Sequence, residues 1–405
     1  MMTAEDNDLL CRVSPGAPMN AYLRQFWIPA LRSEFLKSDG DPERVRLLGE
    51  NYVAFRDSNG RVGLLNEACP HRGVSLTLGR NENCGLRCVY HGWKFDVDGN
   101  VVDVPTEPKS RREEFAKKVT LRHYVTREAA GIIWAYLGDP ARIPAFPALN
   151  WLDLPPGHVD SKYAIVRVGW LSALESQLDS AHVGILHSDF SKQPLFNVDT
   201  MMLDNAPRFE FEDKPYGFRE AAIRAMPDGS QYVRVREFVM PWSSYIPMGE
   251  RDVTHTVTLS IPVDDEHCAE WDIQYNLVRP ISTDDIVEPV ADPNNYVTGI
   301  GGPETRFGQN REKMKAGSWS GYSTVRTEDF AVNISQGPNP DRSQEFLGSS
   351  DLPIVRARRL LIDTVRKHMA GARDEEPTQA SEWPIILAIS KVIGAEQDWR
   401  QLPRG

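Results

Sequence analysis

The chain has 405 residues, of which 41% are apolar, and this length suits about two domains with buried cores. Its formal net charge of −11 argues against nucleic acid or an anionic membrane as the main partner. Five cysteines do not make a disulfide framework, the N-terminus lacks a signal-peptide pattern, and no apolar run is long enough to span a membrane. We therefore expect a cytoplasmic protein.

The first part of the chain predicts a short helical lead-in over residues 1–26 and a small all-β domain over 27–150. Short apolar segments alternate with turn signals beyond residue 27, and the sequence DSNG at 57–60 is a hairpin signal between two of them. The stretch 139–154 is rich in proline and alanine, which indicates a boundary. We place the end of this domain at residue 150.

Two cysteine–histidine pairs lie in this β domain. Cys69-x-His71 is separated by sixteen residues from Cys88-x2-His91. Thiolate and imidazole ligands together suit zinc or an iron–sulfur cluster, so a structural zinc site is the alternative. Each loop offers one sulfur and one nitrogen, and glycines and a proline beside the ligands allow the tight turns that a cluster needs. The pattern resembles the Rieske motif C-x-H…C-x2-H, which favours a [2Fe–2S] cluster with two thiolates on one iron and two imidazoles on the other.

The remaining residues, 151–405, predict a larger domain. Alternating apolar residues predict strands at 163–168, 217–226, 231–241, 253–262 and 271–278. Apolar residues at helical spacing predict helices at 171–186 and from Ser350 onward, and 283–320 is predicted mainly as loop. An antiparallel sheet with long helices around it is the fold that we expect, which assigns the chain to the α+β class.

The first of these helices carries acidic residues and histidines. Asp179 and His182 are about 60° apart on an ideal helix, and Glu175, one turn earlier, shares their face. His187 is about 140° from His182, so both could bind one metal only if the helix bulged or ended between them. Gly184 would permit such a change. Two core-facing histidines without a metal are the alternative.

Both ligand patterns together resemble the Rieske non-haem iron oxygenases, and within them the large (α) subunits of the phthalate-dioxygenase-like group. The family pattern D-x2-H-x4-H matches Asp179, His182 and His187. A family segment that contains an iron-binding aspartate matches 326–332, RTEDFAV, and makes Asp329 the third ligand by resemblance. The family's fold implies an all-β Rieske domain followed by a catalytic domain of helix-grip type.

This resemblance also implies the cofactors. The [2Fe–2S] cluster would receive single electrons and pass them to a mononuclear Fe(II), where O2 reacts beside an aromatic substrate. NAD(P)H and flavin would act only through a separate reductase of the flavin and [2Fe–2S] type. The local sequence does not separate Asp329 from Glu328 as the ligand, and a solvated acidic pair is the alternative for this segment.

Family members form head-to-tail trimers, because the cluster of one subunit serves the iron of its neighbour. We therefore expect a homotrimer or a multiple of it. In that arrangement Asp179 would hydrogen-bond both His182 and His91 of the neighbouring subunit. The alternative is that Asp179 only orients His182 within its own chain.

Arginines on two predicted strands could hold a substrate carboxylate. Arg224 lies on the strand 217–226, and Arg234 and Arg236 share one face of the strand 231–241. We choose Arg224, with a solvated strand face as the alternative for each arginine.

Three functions follow from these observations. The first is an oxygenase component that hydroxylates an aromatic ring, by cis-dihydroxylation, with an aromatic carboxylate as the expected substrate. The second is a monooxygenase of the same fold that removes O- or N-methyl groups. The third is a Rieske electron carrier, or a zinc-stabilised binding protein, without catalytic iron. The third leaves the ligand pattern of the larger domain without a role.

Overall fold

The computed structural model describes residues 2–191, 198–248, 254–282, 285, 290, 292–297, 299–372 and 386–402. The chain divides into two compact units. The smaller unit contains Ser14–Gly16 and Asn20–Phe146, and the larger unit contains Met1–Val13, Ala17–Met19 and Pro147–Gly405. The division falls after residue 146, whereas the sequence predicts a boundary after residue 150.

Helices and strands are named in chain order. The α-helices are α1 (Ala4–Cys11), α2 (Pro18–Leu23), α3 (Arg112–Ala116), α4 (Trp170–Leu178), α5 (Val183–Leu186), α6 (Val198–Met202), α7 (Arg311–Lys315), α8 (Val325–Ser335) and α9 (Leu352–Met369). The strands are β1 (Trp27–Arg32), β2 (Glu43–Leu47), β3 (Glu50–Arg56), β4 (Val62–Asn66), β5 (Arg80–Asn81), β6 (Leu86–Arg87), β7 (Lys94–Phe95), β8 (Val101–Asp103), β9 (Val125–Ala129), β10 (Ile132–Tyr136), β11 (Val159–Val166), β12 (Arg208–Lys214), β13 (Gly217–Ala225), β14 (Gln231–Val239), β15 (Ser243–Ile246), β16 (Thr254–Pro262), β17 (Cys268–Asn276) and β18 (Ile389–Ile393).

The smaller unit is built from three antiparallel sheets, with the strand orders β1-β10-β9, β2-β3-β4 and β5-β6-β7-β8. The turn between β3 and β4 is the predicted hairpin. The Asp57 carboxylate accepts from the amides of Asn59 and Arg61, and Gly60 has a positive φ of 81°. A buried cluster that includes Phe55, Leu86, Phe95 and both cysteines of the Rieske motif forms a core shared by the second and third of these sheets.

The larger unit is organised around one antiparallel sheet in the order β11-β17-β16-β15-β14-β13-β12, with β18 paired to β14. One sheet face packs Ala221, Val233 and Val235 against Trp399 in an apolar cluster. Helix α4 contacts β15, β16 and β17, and it also contacts α8 and α9. The expected α+β class, an all-β domain followed by an antiparallel sheet with helices, is confirmed.

Two predicted helices differ from the observed ones. The lead-in at 1–26 is two helices, and the first of them, α1, belongs to the larger unit. The predicted helix at 171–186 is also two helices, because Asp179 has an extended backbone (φ −82°, ψ 117°) that ends α4. The predicted loop at 283–320 contains α7, and part of it lies outside the described residues. Within the described ranges, no helix is long and apolar enough to cross a membrane.

Candidate metal centres and substrate cavity

The two loops of the Rieske motif share one backbone conformation. The Gly73 amide donates to the Cys69 carbonyl at 2.8 Å, and the Gly92 amide donates to the Cys88 carbonyl at 2.9 Å. Both glycines have positive φ values, 76° and 74°, in the region where a side chain is strained. The repeated turn explains why each loop needs a glycine four residues after its cysteine.

These loops bring two sulfurs and two imidazoles together. Cys69 and Cys88 are buried, and the rings of His71 and His91 lie 4.4 Å apart between centroids. The His71 ring also stacks on Trp93 at 4.5 Å, with an angle of 10° between the ring planes. The chain therefore presents the mixed donor set of a [2Fe–2S] Rieske cluster.

Two observations fit a metal group at these loops. Burial raises the pKa of the Cys69 thiol to about 11, so this sulfur is favoured as a thiolate beside a cation. His91 Nδ1 is buried and has no hydrogen-bond partner in the described part of the chain. A buried ring nitrogen without a partner is unfavourable unless it binds a metal.

The histidines of the larger unit flank a single helical turn. After the extended Asp179, the short helix α5 connects the two histidines: the Leu186 amide donates to the His182 carbonyl at 2.7 Å, and the His187 amide donates to the Val183 carbonyl at 3.3 Å. The break in the predicted helix therefore lies before His182 and not between the histidines. Gly184 has another reason to be small. A Cβ there would lie 2.5 Å from Asn205 Oδ1 and 3.0 Å from the Met201 carbonyl oxygen. The glycine thus permits close packing rather than a bulge.

Helix α8 brings Asp329 to these histidines. The His182 Nε2 and His187 Nε2 atoms lie 3.5 and 3.2 Å from Asp329 Oδ1, and all three ligand atoms are within 4.8 Å of one another. The neighbouring Glu328 points to the other side of the ring, with Oε2 at 2.6 Å from His187 Nδ1. The structure thus separates the two acidic residues, which the sequence alone leaves equivalent.

Charge in this site fits a bound cation. Burial by itself would lower the pKa of His187, but Asp329 and Glu328 raise it to about 10. Burial would likewise raise the pKa of Asp329, but His187 and His182 hold it well below its usual range. Two imidazoles and one carboxylate on one side of a cavity form the ligand set of a non-haem Fe(II) site with open positions.

Asp179 orients His182 within the chain. Its Oδ2 lies 3.4 Å from His182 Nδ1, and its Oδ1 accepts from the Ala181 amide at 2.7 Å. The side chain is still 25% exposed. Glu175, which the ideal-helix geometry places on the same face, is instead ion-paired with Arg342 and Arg358 and is not part of the metal site.

A cavity of about 880 Å³, including its opening to solvent, adjoins His182, His187 and Asp329. Val183, Ile246, Pro247, Val325 and Phe330 are among its apolar lining residues, and Arg234, Arg236 and Arg326 are the described arginines that line it.

The arginines of the cavity differ in their partners. Arg236 is directly opposite Glu220 in the β13–β14 register and forms an ion pair with it at 3.1 Å. Arg234 is opposite Ala222 and donates to Met201 Sδ and the Pro247 carbonyl.

In the described part of the chain, no carboxylate is bonded to Arg234, and its buried Nε atom has no partner. Burial lowers the pKa of Arg234 to about 10, which leaves it positively charged at neutral pH. Among the described residues, this cation without a bonded carboxylate is the feature of the cavity most suited to an anionic ligand.

The choice of Arg224 is not supported by its position. Arg224 is buried, it donates to the carbonyl oxygens of Asp204 and Ser180, and it does not line the cavity. The alternative of a solvated strand face is wrong for all three arginines, since Arg224, Arg234 and Arg236 are all buried. Strand alternation identifies the shared face, but it does not give the position of each residue along the cavity.

Comparison with known proteins agrees with this geometry. Residues 26–124 match the Rieske [2Fe-2S] domain family, and residues 135–404 match the family described as LigXa C-terminal domain like. The phthalate 4,5-dioxygenase oxygenase subunit of Pseudomonas putida is 37% identical, over 99% of this chain and 94% of that protein. The 3-chlorobenzoate-3,4-dioxygenase oxygenase subunit of Comamonas testosteroni is 33% identical, over 92% and 90%.

Other relatives carry other reactions in their names. The 5,5'-dehydrodivanillate O-demethylase oxygenase subunit of Sphingobium sp. (strain NBRC 103272 / SYK-6) is 30% identical, over 97% of this chain and 86% of that protein. Among solved structures, the Pseudomonas putida CBB5 NdmA QL mutant with caffeine has a TM-score of 0.64 at 19% identity, over 89% of this chain and 96% of that one. The chain belongs to the Rieske non-haem iron oxygenases, as an oxygenase (α) subunit of the phthalate-dioxygenase-like group with a [2Fe–2S] cluster and a mononuclear iron.

Proposed function

We propose that this oxygenase subunit hydroxylates an aromatic carboxylate, by cis-dihydroxylation of the ring. The observation that carries the proposal is Arg234, a buried cation without a carboxylate partner among the described residues, in the same cavity as the His182, His187 and Asp329 cluster. A substrate carboxylate would pair with this guanidinium and accept from its Nε–H, which has no partner among the described residues. The names of the phthalate and chlorobenzoate relatives are consistent with an aromatic acid.

In this proposal, the four residues of the Rieske motif, Cys69, His71, Cys88 and His91, hold the cluster. His182, His187 and Asp329 hold the iron. When bound, the cluster supplies single electrons and the iron supplies the activation of O2.

The chain's own residues position the substrate. Arg234 fixes the carboxylate, and apolar side chains such as Val183 and Phe330 pack against the ring and exclude water from it. Anchoring one end of the ring at Arg234 selects which edge faces the iron ligands. The carboxylate anchor therefore sets both affinity and regiochemistry.

We also propose that the subunits form a homotrimer or a multiple of it. The exposed quarter of the Asp179 side chain supports a second contact for this residue, to His91 of a neighbouring copy. Asp179 would then hydrogen-bond an imidazole of each metal centre and shorten the electron path between them. Electrons would come from a separate reductase of the flavin and [2Fe–2S] type, which oxidises NAD(P)H.

A substrate screen tests this proposal. Protein with a reduced cluster is mixed with O2 and a panel of aromatic acids, each paired with its methyl ester, and products are identified by mass spectrometry. We expect turnover of acids to cis-diols, in which both atoms of O2 and two hydrogens have been added to the ring, and little turnover of the matched esters. Equal turnover of acids and esters would contradict the role given to Arg234.

Demethylation is the second candidate, because a relative that covers nearly the whole chain is named as an O-demethylase. The same screen therefore includes methoxybenzoates. Formaldehyde release without a cis-diol would replace dihydroxylation by demethylation, and it would leave the acid-binding role of Arg234 in place.

A further inference from the structure

We infer that Glu328 and Ser320 act together as positioning residues that fix the ring of His187 for metal binding. The inference rests on the proposed role of His187 as an iron ligand. It assigns a role to an acidic residue that lies next to the proposed ligand Asp329 but contacts the opposite side of the histidine.

Glu328 is fully buried, and each of its carboxylate oxygens has one partner. Oε2 lies 2.6 Å from His187 Nδ1, and Oε1 accepts a short hydrogen bond from the Ser320 hydroxyl. An ionised carboxylate can only accept hydrogen bonds, so Nδ1 must carry the proton. The lone pair of His187 is then on Nε2, the atom that faces Asp329 at 3.2 Å.

Residues 318–320 hold this arrangement from two sides. The Ser318 hydroxyl donates to Asp189 at 2.5 Å, and the Trp319 amide donates to the same carboxylate at 2.9 Å. Asp189 follows His187 by two residues, so this contact fixes the backbone beyond α5. The hydroxyl of Ser320, the next residue, donates to Glu328. One short segment thus fixes both the main chain and the ring of His187.

The two histidines differ in how firmly they are held. Asp179 lies 3.4 Å from His182 and is 25% exposed, whereas Glu328 lies 2.6 Å from His187 and is 0% exposed. A shorter, fully buried contact restricts the ring more and also adds negative charge close to the metal position. His187 is therefore the ligand that is oriented before metal binds.

Metal affinity tests the inference. The mononuclear iron is removed by chelation while the cluster is kept, and Co(II) is titrated while its visible d–d absorption is followed. We expect Glu328→Gln to weaken Co(II) binding by roughly 10–100-fold, as loss of a partner of a metal-bound histidine does elsewhere. Ser320→Ala should weaken binding by a smaller factor. The double variant should be little worse than Glu328→Gln, because both residues act on one ring.

Matched controls separate positioning from general damage. Glu312→Gln removes an exposed carboxylate paired with Lys315, and Ser335→Ala removes a hydroxyl on the same helix as Glu328. Both should bind Co(II) like the unmodified protein. Cluster EPR and the thermal unfolding midpoint should be unchanged in Ser320→Ala, a result that a purely structural role would not give together with weaker Co(II) binding.

His187→Ala distinguishes a failure of the proposed ligand set from a failure of the positioning role of Glu328. Unchanged Co(II) affinity in His187→Ala would overturn the proposed ligand set itself. Weak binding in His187→Ala with normal binding in Glu328→Gln would overturn only the positioning role. If Glu328→Gln does not fold, Ser320→Ala decides the matter, and Co(II) affinity equal to that of the unmodified protein would then overturn the inference.

Discussion

The two candidate metal centres are built in opposite ways. All four residues of the Rieske motif lie within 69–91, on two loops with the same internal hydrogen bonds. The mononuclear site joins His182 and His187 to Asp329, from helices separated by about 140 residues of chain. A site made from one local motif is specified by its spacing, whereas a site made from distant helices depends on the packing that brings them together.

The comparison is tested most strongly by Asp329→Ala. Removing one of the three proposed ligands should reduce turnover below detection and lower the mononuclear iron content, because His182 and His187 lose their shared anionic partner. The iron assay and product assay measure both effects. The cluster EPR signal should be unchanged.

His71→Cys is the reciprocal control for that experiment. It changes one proposed cluster ligand from nitrogen to sulfur, which should shift the EPR spectrum and lower the reduction potential by on the order of 100 mV or more. After removal of the mononuclear iron by chelation, the affinity of the protein for Co(II) should equal that of the unmodified protein. An altered mononuclear site in this variant would show that the two centres are not independently built.

Arg234→Met sharpens the role of the cavity. We expect kcat/KM for an aromatic acid to fall by roughly 100-fold, since a charge-assisted hydrogen bond of about 2–3 kcal/mol is lost. The rate for the matched methyl ester should change little. Steady-state kinetics on both compounds measures the ratio, and Arg400→Gln, on the exposed side of the unit, is the control. An equal loss for acid and ester would indicate a general packing defect.

Asp179→Ala tests the role of this residue in electron transfer from the cluster to the mononuclear iron. Neither metal loses a proposed ligand, so iron and cluster contents should be normal. Reoxidation of the reduced cluster, with substrate and O2 present, should slow by roughly 10-fold or more, because the carboxylate proposed to bridge the two imidazoles is removed. Rapid mixing measures that rate. A normal rate would reduce the role of Asp179 to orienting His182.

The smallest effects are expected at the two glycines of the cluster loops. Gly73→Ala meets no atom within 4 Å and should cost only the roughly 1–2 kcal/mol of a positive-φ alanine. Gly92→Ala should cost more, because its Cβ would lie 2.7 Å from Pro105 Cγ. Loss of cluster absorption during urea unfolding ranks the two variants. Equal stabilities of the two variants would show that the contact with Pro105 adds no cost to the positive-φ strain that both loops share.

The sequence predicts local features well and distant ones poorly. The DSNG hairpin and the paired loops follow from nearby residues, and the structure contains both. The break at Asp179 was missed because apolar periodicity continues through it, although an Asp–Ser pair is itself a signal for the start of a new helical turn. The contact between Glu328 and His187 depends on how α8 packs, which no local pattern encodes.

The same limit explains the choice among the arginines. Alternation on β13 and β14 places Arg224, Arg234 and Arg236 on one face, but only the register shows which of them meets a carboxylate. Glu220 is opposite Arg236, and Ala222 is opposite Arg234. Pairing between strands is set by the whole sheet, so the arginine without a bonded carboxylate among the described residues could be identified only in the structure.

The placement of α1 in the larger unit has a consequence for synthesis on the ribosome. Leu10 accepts a hydrogen bond from the Trp170 indole at 3.0 Å, and Asn7 accepts from Arg342 at 3.3 Å. At typical translation rates of about 5–20 residues per second, α1 leaves the ribosome on the order of half a minute before Arg342 does. The smaller unit can fold during that interval, while α1 waits as an apolar segment for its partners. A chain that begins at residue 147 therefore lacks the first helix of its own core.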